Sequence, residues 1–249
     1  MGKINRQQVQ DNKARKKSYA DKVVYMPNND LKLDWFNPEG DQNLIIESMQ
    51  NNLLTCVDGP SGTGKTSTVV WKALQWVKDG TFQRIFFIKN PTEAGDDQIG
   101  YLKGEAEDKL KAHFHETRRI FLNFLSKGKL ETDESSGKIE MTIPNFLLGA
   151  TLDNAIIIID EGQTMSPDTI KLLVERCGSN SIVVVLGDSR QRYSVKKRED
   201  GFADLISKIT AEDEEGKRVS TESIMGYVKL TTEDNKRSEL SKRITELYA

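Results

Sequence analysis

The sequence predicts a single α/β domain in which a mainly parallel sheet is sandwiched between helices. Two segments, "NAIIIID" (154–160) and "SIVVVLGD" (181–188), are apolar at almost every position. Such strands suit a parallel sheet that is covered on both faces, because a solvent-exposed face would need alternating polar residues. Strand and helix patterns also alternate along the chain, which is the order that a parallel sheet requires.

Composition and charge are those of an ordinary globular protein. The 249 residues include 36 basic and 38 acidic side chains, and 37% of the residues are hydrophobic. A chain of this length buries enough surface to fold without disulfides. Because the net charge is close to zero, any nucleic-acid site must be local. Cys56 and Cys177 show no metal-binding spacing, and Cys56 is expected in the core.

The ends of the chain suggest the domain boundaries. Residues 1–30 are rich in Lys and Arg and show no periodicity, so we expect a mobile basic N-terminal arm followed by one domain at residues 31–249. The chain shows no signal peptide and no apolar run of membrane-spanning length, which predicts a cytoplasmic protein.

The first half of the domain predicts a helix, a strand, a second helix and a second strand, in that order. "WFNPEGDQNLIIESMQ" places Leu44, Ile45 and Met49 at helical spacing. "NLLTCVDG" predicts a short buried strand, and "TSTVVWKALQWVKDG" predicts a helix that Gly80 ends. "RIFFIKNP" predicts a second strand, stopped by Pro91.

The second half continues the alternation. Residues 107–125 predict an amphipathic helix with Phe114 and Phe121 on its apolar face and with His113 and His115 exposed to solvent. Residues 126–143 predict two short strands around a polar turn. A helix follows Ser166, its N-cap, and Pro167. "IMGYVKL" predicts the last strand, and "SELSKRITELYA" predicts a closing helix.

The segment "DGPSGTGKTST" (58–68) is a phosphate-binding loop, or P-loop. It matches G-x-x-x-x-G-K-[ST] at every fixed position, between a predicted strand and a predicted helix. The glycines allow the backbone N–H groups to wind around an anion at a helix N-terminus. The predicted nucleotide-binding residues here are Gly59, Ser61, Gly62, Thr63, Gly64, Lys65, Thr66 and Ser67.

Roles in chemistry follow from the residue types. Lys65 is expected to reach the β and γ phosphates of ATP, and the Thr66 hydroxyl is expected to hold Mg²⁺. Asp160 follows four isoleucines, at the end of a buried strand, and is predicted to hold Mg²⁺ through water. Glu161 comes next and is predicted to be the general base for an attacking water, a role that a small-molecule kinase does not need.

A third polar turn follows the strand of "VVVLGDSRQ". In the additional-strand class of P-loop ATPases, one strand lies between the P-loop strand and the strand of the metal-binding aspartate. We therefore predict that Gln191 senses the γ-phosphate and that Asp188 positions it. A plain solvated turn would also fit these residues.

Together these motifs resemble the PhoH-like family of cytoplasmic ATPases, whose domain is similar to the core of superfamily 1 helicases. "NPTEAGDDQIGYLKGEAEDKL", "IEMTIPNFLLGATLDNAIIIIDEGQ", "VVVLGDSRQ" and "GFADLISKI" follow in the family order, over about residues 35–249. The resemblance implies a RecA-like P-loop NTPase fold. It also implies that Gln42, within "NPEGDQNLII", contacts adenine and that Arg237, within "EDNKRSELSKRITELY", is functional.

Three positions depart from the family pattern. The family usually has two arginines just before the residue that is Thr151 here, where this chain has "LLGAT". It usually has Arg at the position of Asn90 and Asn at the position of Thr164. The phosphate chemistry is intact, whereas loss of arginines weakens the binding of a polyanion.

One RecA-like lobe leaves the nucleotide open on one side. We therefore expect a homo-oligomer, possibly a hexameric ring as the resemblance implies, in which Arg237 reaches the γ-phosphate bound by a neighbouring copy. An exposed arginine at the start of a helix is the alternative.

The segment "RQRYSVKKR" is the candidate nucleic-acid interface. An aromatic ring and adjacent cations can bind a single strand without sequence preference. A charged loop that only faces water has the same composition. The candidate residues are Arg190, Arg192, Tyr193, Lys196, Lys197 and Arg198.

Three classes of function fit the sequence. The first is an Mg²⁺-dependent ATPase that acts with RNA or single-stranded nucleic acid. The second is an ATP-driven assembly or regulatory module whose partner is a protein. The third is a small-molecule kinase, which Glu161 and the sensor strand disfavour.

Overall fold

A six-stranded parallel sheet forms the centre of the molecule. The computed structural model describes residues 30–91, 113–191, 200–234 and 239–247. The strand order is β3-β2-β4-β5-β1-β8, and every neighbouring pair is parallel. A separate antiparallel hairpin, β6–β7, precedes the last strand. The strands are β1 (Leu54–Asp58), β2 (Arg84–Lys89), β3 (Ile139–Thr142), β4 (Ala155–Asp160), β5 (Ile182–Gly187), β6 (Thr210–Glu212), β7 (Arg218–Ser220) and β8 (Met225–Lys229).

Helices cover both faces of this sheet. They are α1 (Gln42–Asn51), α2 (Lys65–Asp79), α3 (His115–Phe124), α4 (Lys127–Ser135), α5 (Pro167–Val174), α6 (Gly201–Ile209) and α7 (Glu239–Leu247). Three short 3-10 turns occur at Pro144–Leu147, Gly162–Thr164 and Thr232–Asp234. No helix in the described ranges is long and apolar enough to cross a membrane.

Alternate residues of the central strands contribute to two separate cores. Ile156 and Ile158 of β4 pack with residues of α1 to α4, whereas Ile157 and Ile159 pack with residues of α5 and α6. Both faces of β4 and β5 are thus buried, which explains why these strands carry apolar residues without alternation. The predicted α/β sandwich is confirmed.

The position of β5 confirms the additional strand predicted from the sequence. It pairs with β1 through Val183 and Leu54, and with β4 through Val184 and Ile158. Because all three strands are parallel, their carboxyl ends lie at one edge of the sheet. The P-loop follows β1, Asp160 is the last residue of β4, and Asp188 follows β5.

The local signals at helix ends also act as predicted. Gly80 ends α2 in the left-handed conformation, with a φ of 83°. The Ser166 hydroxyl accepts a hydrogen bond from the Thr169 amide, and Pro167 is the first residue of α5. Cys56 and Cys177 are free thiols, and burial raises the pKa of the Cys56 thiol to about 12. Cys56 is therefore a core residue, as expected.

The prediction of two strands in residues 126–143 is half wrong, because the first half of this segment is helix α4, whereas the second predicted strand is β3 (Ile139–Thr142). The Ser126 hydroxyl caps the helix by accepting a hydrogen bond from the Lys129 amide. Lys129 forms an ion pair with Asp133 one turn later. Leu130 is the only apolar residue in α4, so the sequence shows no helical spacing of apolar residues in this segment.

The histidine prediction is partly wrong, and the N-terminal arm stays untested. His115 is exposed, but His113 is half-buried, and burial lowers its pKa. Residues 1–29, most of the predicted arm, lie outside the described residues. The chain from Asp30 onward is held against the domain, where the Ser126 hydroxyl donates to the Asp30 carboxylate at 2.7 Å.

We expect Gly201→Ala to destabilise the protein. A Cβ at Gly201 would lie 2.6 Å from the backbone oxygen of Ser166, where the starts of α5 and α6 meet. Relieving this overlap requires two backbones to separate, at a cost of roughly 1–3 kcal/mol. The measurement is the urea midpoint of unfolding.

Gly128→Ala is the matched control for this substitution. A Cβ at Gly128, in α4, would meet no atom within 4 Å, so the helix should be unchanged or stabilised by up to about 1 kcal/mol. Equal midpoints for the two variants would contradict the proposed packing of α5 against α6.

Candidate nucleotide site

The P-loop connects β1 to α2 in a conformation that depends on glycine. Gly62 and Gly64 have φ values of 89° and 81°, in the left-handed region that other residues rarely adopt. The Thr63 hydroxyl donates to the Pro60 carbonyl at 2.9 Å and so braces the turn. The loop leads directly into the N-terminus of α2, where free N–H groups and the helix dipole favour an anion.

Lys65 is the first residue of α2, and its ammonium lies inside the loop. Its Nζ donates hydrogen bonds to the Gly59 carbonyl and, at 2.9 Å, to the Pro60 carbonyl. Burial lowers the pKa of Lys65, and four carboxylates oppose this shift, those of Asp188, Asp160, Glu161 and Asp58. An anion in the loop would therefore meet a desolvated cation whose charge the surrounding carboxylates favour.

Asp160 ends β4 opposite Lys89, the last residue of β2. Burial raises the pKa of Asp160 from 3.8 to about 6, and the neighbouring charge of Glu161 adds to this effect. Lys89 and Lys65 act in the opposite direction. The carboxylate thus lies in a site that favours an added cation.

Glu161 follows Asp160 with a φ of 55°, an uncommon conformation for glutamate. Its Oε2 accepts a hydrogen bond from Gln163 Nε2 at 2.6 Å. Gln163 is only 4% exposed, and its Oε1 accepts from the Asp188 amide at 3.2 Å. Gln163 therefore joins the predicted base to the end of β5. In the sequence, Gln163 stands out only as the last residue of the family segment that ends in "IIIIDEGQ".

The predicted sensor turn reaches the same site. Arg190 N–H donates to the Asp188 carboxylate at 3.1 Å, and Gln191 N–H donates to the Asp188 carbonyl at 3.0 Å. Burial raises the pKa of Asp188. Asp188 therefore shapes the turn that carries Gln191, and the sensing role of Gln191 stays a prediction.

These groups line one cavity of about 660 Å³. The cavity contains the predicted P-loop residues except Gly59 and Thr63, which lie beneath it. The other predicted residues on its wall are Gln42, Asp160, Glu161, Asp188 and Gln191. Residues far apart in the chain thus meet as the motifs predicted.

Helix α3 supplies a wall that sequence reasoning missed. Glu116, Arg119, Ile120 and Asn123 face the cavity, at the spacing of one helical face. Phe36 lies beside them, with its ring 5.7 Å from that of Trp71 on α2. The amphipathic spacing of α3 was visible in the sequence, but only the fold shows which surface its polar face meets.

Gln42 has a structural role in addition to the predicted one. It is 4% exposed, and its Nε2 donates to the Thr63 carbonyl at 3.0 Å. Its Oε1 accepts from the Glu39 amide at 3.2 Å. Gln42 thus supports the P-loop, and its predicted adenine contact would require an exchange of partners.

The oxygen donors of the site fit a magnesium ion. Thr66 and Asp160 provide a hydroxyl and a carboxylate on the same cavity wall, which are hard oxygen ligands of the kind that Mg²⁺ prefers. No cluster of three His, Cys, Asp or Glu side chains suited to a metal occurs in the described part of the chain.

Other predicted residues lie outside the described ranges. These are Arg192, Tyr193, Lys196, Lys197, Arg198 and Arg237. Arg190 is described, and its Nε lies 3.8 Å from the Asp188 carboxylate. The nucleic-acid interface and the shared arginine stay predictions.

Comparison with known proteins finds relatives that are described as PhoH-like. Residues 38–249 match the family model described as PhoH-like protein. A PhoH-like protein of Synechocystis sp. is 28% identical over 207 residues, covering 83% of this chain and 60% of that protein. A PhoH-like protein of Bacillus subtilis is 30% identical over 162 residues, covering 65% of this chain and 50% of that protein. The chain spans about half to three-fifths of the length of these relatives.

A solved structure shows the same fold at low sequence identity. The large terminase ATPase domain of Thermus phage P74-26 superimposes with a TM-score of 0.51 and 13% identity, covering 86% of this chain and 88% of that domain. At this identity the similarity concerns the fold alone. The fold is that of the RecA-like P-loop ATPase domains, as predicted from the sequence.

We expect Asp160→Asn to stabilise the nucleotide-free protein at neutral pH. Folding raises the pKa of Asp160 from 3.8 to about 6, so the folded state favours the protonated form. This contribution to stability is complete below pH 3.8 and is lost as the pH rises through about 6. Asparagine cannot ionise, so the variant should gain roughly 1–2 kcal/mol near neutral pH in EDTA.

The control is the same unfolding measurement near pH 4, where the gain should nearly vanish because Asp160 is then protonated in the folded state. Asp34→Asn removes an exposed carboxylate and should show neither effect. If Asp160→Asn raised the free energy of unfolding by the same amount at every pH, the result would contradict the burial of an ionised carboxylate at this position.

Proposed function

Because this chain belongs to the PhoH-like family, we propose that it is an Mg²⁺-dependent ATPase. The observation that carries the proposal is the shared cavity of the P-loop, Asp160 and Glu161. The loop suits a triphosphate, and the two carboxylates suit the metal and the attacking water. The proposal covers residues 38–249, which match the family model.

Binding would begin with the P-loop and Lys65. The Lys65 ammonium, now bonded to the Gly59 and Pro60 carbonyls, would turn to the β and γ phosphate oxygens. Backbone N–H groups at the start of α2 would donate to the same phosphates. Thr66 and Asp160 would hold Mg²⁺, which neutralises phosphate charge when bound.

Hydrolysis would use Glu161 as the base. Its carboxylate would accept a proton from the water that attacks the γ-phosphorus, while the bond to the β–γ bridging oxygen breaks. The hydrogen bond from Gln163 holds the carboxylate beside the end of β5. Gln191 would then sense the γ-phosphate from the neighbouring turn.

Coupling to RNA or single-stranded nucleic acid is the second part of the proposal. The supporting features are the basic composition of residues 190–198 and an exposed aromatic ring elsewhere in the domain. Phe146, in the turn after β3, is 62% exposed, and exposed rings can stack on bases. An ATP-driven module that acts on a protein partner is the alternative, favoured by the lack of the two family arginines before Thr151.

A second copy of the chain would complete the site. A single RecA-like lobe would leave the phosphates of a bound nucleotide exposed on one face, where a cation from a neighbouring copy could reach them. Arg237 of a neighbouring copy is the proposed donor, in a homo-oligomeric ring.

The free thiols of Cys56 and Cys177 suit the reducing cytoplasm, which is the proposed location.

We expect Lys65→Ala and Glu161→Gln to separate binding from hydrolysis. Lys65→Ala removes the phosphate-binding cation and should abolish turnover. Glu161→Gln keeps the shape of the side chain, so ATP and Mg²⁺ should still bind while hydrolysis slows by roughly a hundredfold or more. Phosphate release and equilibrium binding of a fluorescent ATP analogue are the measurements.

Lys78→Ala and Glu175→Gln are the controls, since these exposed residues lie on α2 and just after α5. Both should keep wild-type rates. Normal hydrolysis by Lys65→Ala would remove the proposed ATPase function, whereas normal hydrolysis by Glu161→Gln would assign the base to another residue.

We also expect single-stranded RNA to raise the rate of ATP hydrolysis. The effect should weaken as the salt concentration rises, because phosphate contacts release counterions. Replacing Lys196, Lys197 and Arg198 together by alanine should reduce the response to RNA. An ATPase rate that RNA and single-stranded DNA leave unchanged would favour the protein-partner alternative.

A further inference from the structure

A buried carboxylate lies directly before the P-loop and has no part in the roles assigned so far. Asp58 ends β1 and is 4% exposed. Its Oδ1 accepts a hydrogen bond from the Ser189 amide at 2.9 Å. Its Oδ2 accepts from the Ser189 hydroxyl at 2.7 Å and from the Tyr227 hydroxyl at 3.2 Å. Three donors thus satisfy this one carboxylate.

The charge at Asp58 is unfavourable for phosphate binding by itself. It lies next to Gly59, and its field acts on both Lys65 and Asp188. A negative group near a bound triphosphate weakens binding, and burying it without partners would cost stability. The three hydrogen bonds offset part of the cost of burying this charge, and they also hold Ser189 and Tyr227 in place.

The hydrogen bonds of Asp58 connect three neighbouring strands of the sheet. Asp58 belongs to β1, Ser189 follows β5, and Tyr227 belongs to β8. The register places Asp58 opposite Gly187 on one side and Lys229 on the other. Asp58 therefore ties the turn after β5 to the strand that carries the P-loop.

Every backbone amide of this turn has a defined partner. The Asp188 amide donates to Gln163, and the Ser189 amide donates to Asp58. The next two amides, of Arg190 and Gln191, donate to the Asp188 carboxylate and carbonyl. Gln163, which follows β4, thus holds the turn at Asp188. Asp58, at the end of β1, holds it at Ser189.

We propose that Asp58, held by Tyr227, is a positioning residue that fixes Ser189 and so places Asp188 and Gln191 against the terminal phosphate. This inference rests on the proposed ATPase function. Asp58 does not touch the reacting atoms, so its loss should lower kcat and leave the KM for ATP nearly unchanged. The Tyr227 hydroxyl fixes the orientation of the Asp58 carboxylate, and its loss should act in the same direction.

The test compares Ser189→Ala, Tyr227→Phe and Asp58→Ala in ATP hydrolysis and in hydrogen–deuterium exchange. Misplacement of groups near a reaction centre typically costs roughly ten- to a hundredfold in rate, and we expect kcat to fall in this range for Asp58→Ala and less for the other two. The amides of residues 188–191 should exchange faster in all three variants. Asp58→Asn keeps an acceptor for the Ser189 amide and should recover part of the rate.

Two controls separate positioning from a general loss of stability. Asp133→Asn alters a buried carboxylate on α4 that pairs with Lys129, away from the cavity. Ser207→Ala removes an exposed hydroxyl on α6. Both should keep the wild-type kcat and the wild-type exchange rate at residues 188–191.

The outcomes distinguish this inference from the proposed function. An unchanged kcat in Asp58→Ala, beside an inactive Lys65→Ala, would overturn the positioning role and leave the ATPase function intact. A fall in kcat that Asp133→Asn shares, in proportion to a lower Tm, would also overturn it. A wild-type protein that does not hydrolyse ATP would contradict the proposed function, and the positioning role would fall with it.

Discussion

The pairing of β5 with both β1 and β4 is the constraint on which the rest of the structure depends. The three strands are parallel, so the segments that follow them meet at one edge of the sheet. This brings together the P-loop, the acidic pair Asp160–Glu161 and the turn after β5. The apolar residues on both faces of these strands set the register, because a shift by one residue would exchange the residues of the two cores.

The site holds acidic groups in a position that is unfavourable until a ligand arrives. Asp160 and Asp188 both have raised pKa values, chiefly because they are buried. Lys65 is desolvated at the same time. A metal ion and a triphosphate would supply the missing counter-charges. These desolvated groups therefore cost folding stability and favour ligand binding, as ionisable groups at functional sites often do.

Local patterns predicted the order of strands and helices and the P-loop, because each depends on residues close together in the chain. Helix α4 was missed because Leu130 is the only apolar residue of its nine. The contacts of Asp58, the contact of Gln163 with Asp188 and the wall formed by α3 could not be predicted. They join residues far apart in sequence, and only the order of strands determines which of them meet.

The register of β1 also has a consequence for how the protein folds during synthesis. Leu54 pairs with Val183 on one side and with Met225 on the other, and both partners are synthesised long after β1. Contacts so distant in sequence carry a cost in loop-closure entropy and form slowly. The P-loop directly follows β1, so a nascent chain on the ribosome would lack a finished nucleotide pocket until β5 and the turn after it have emerged from the exit tunnel.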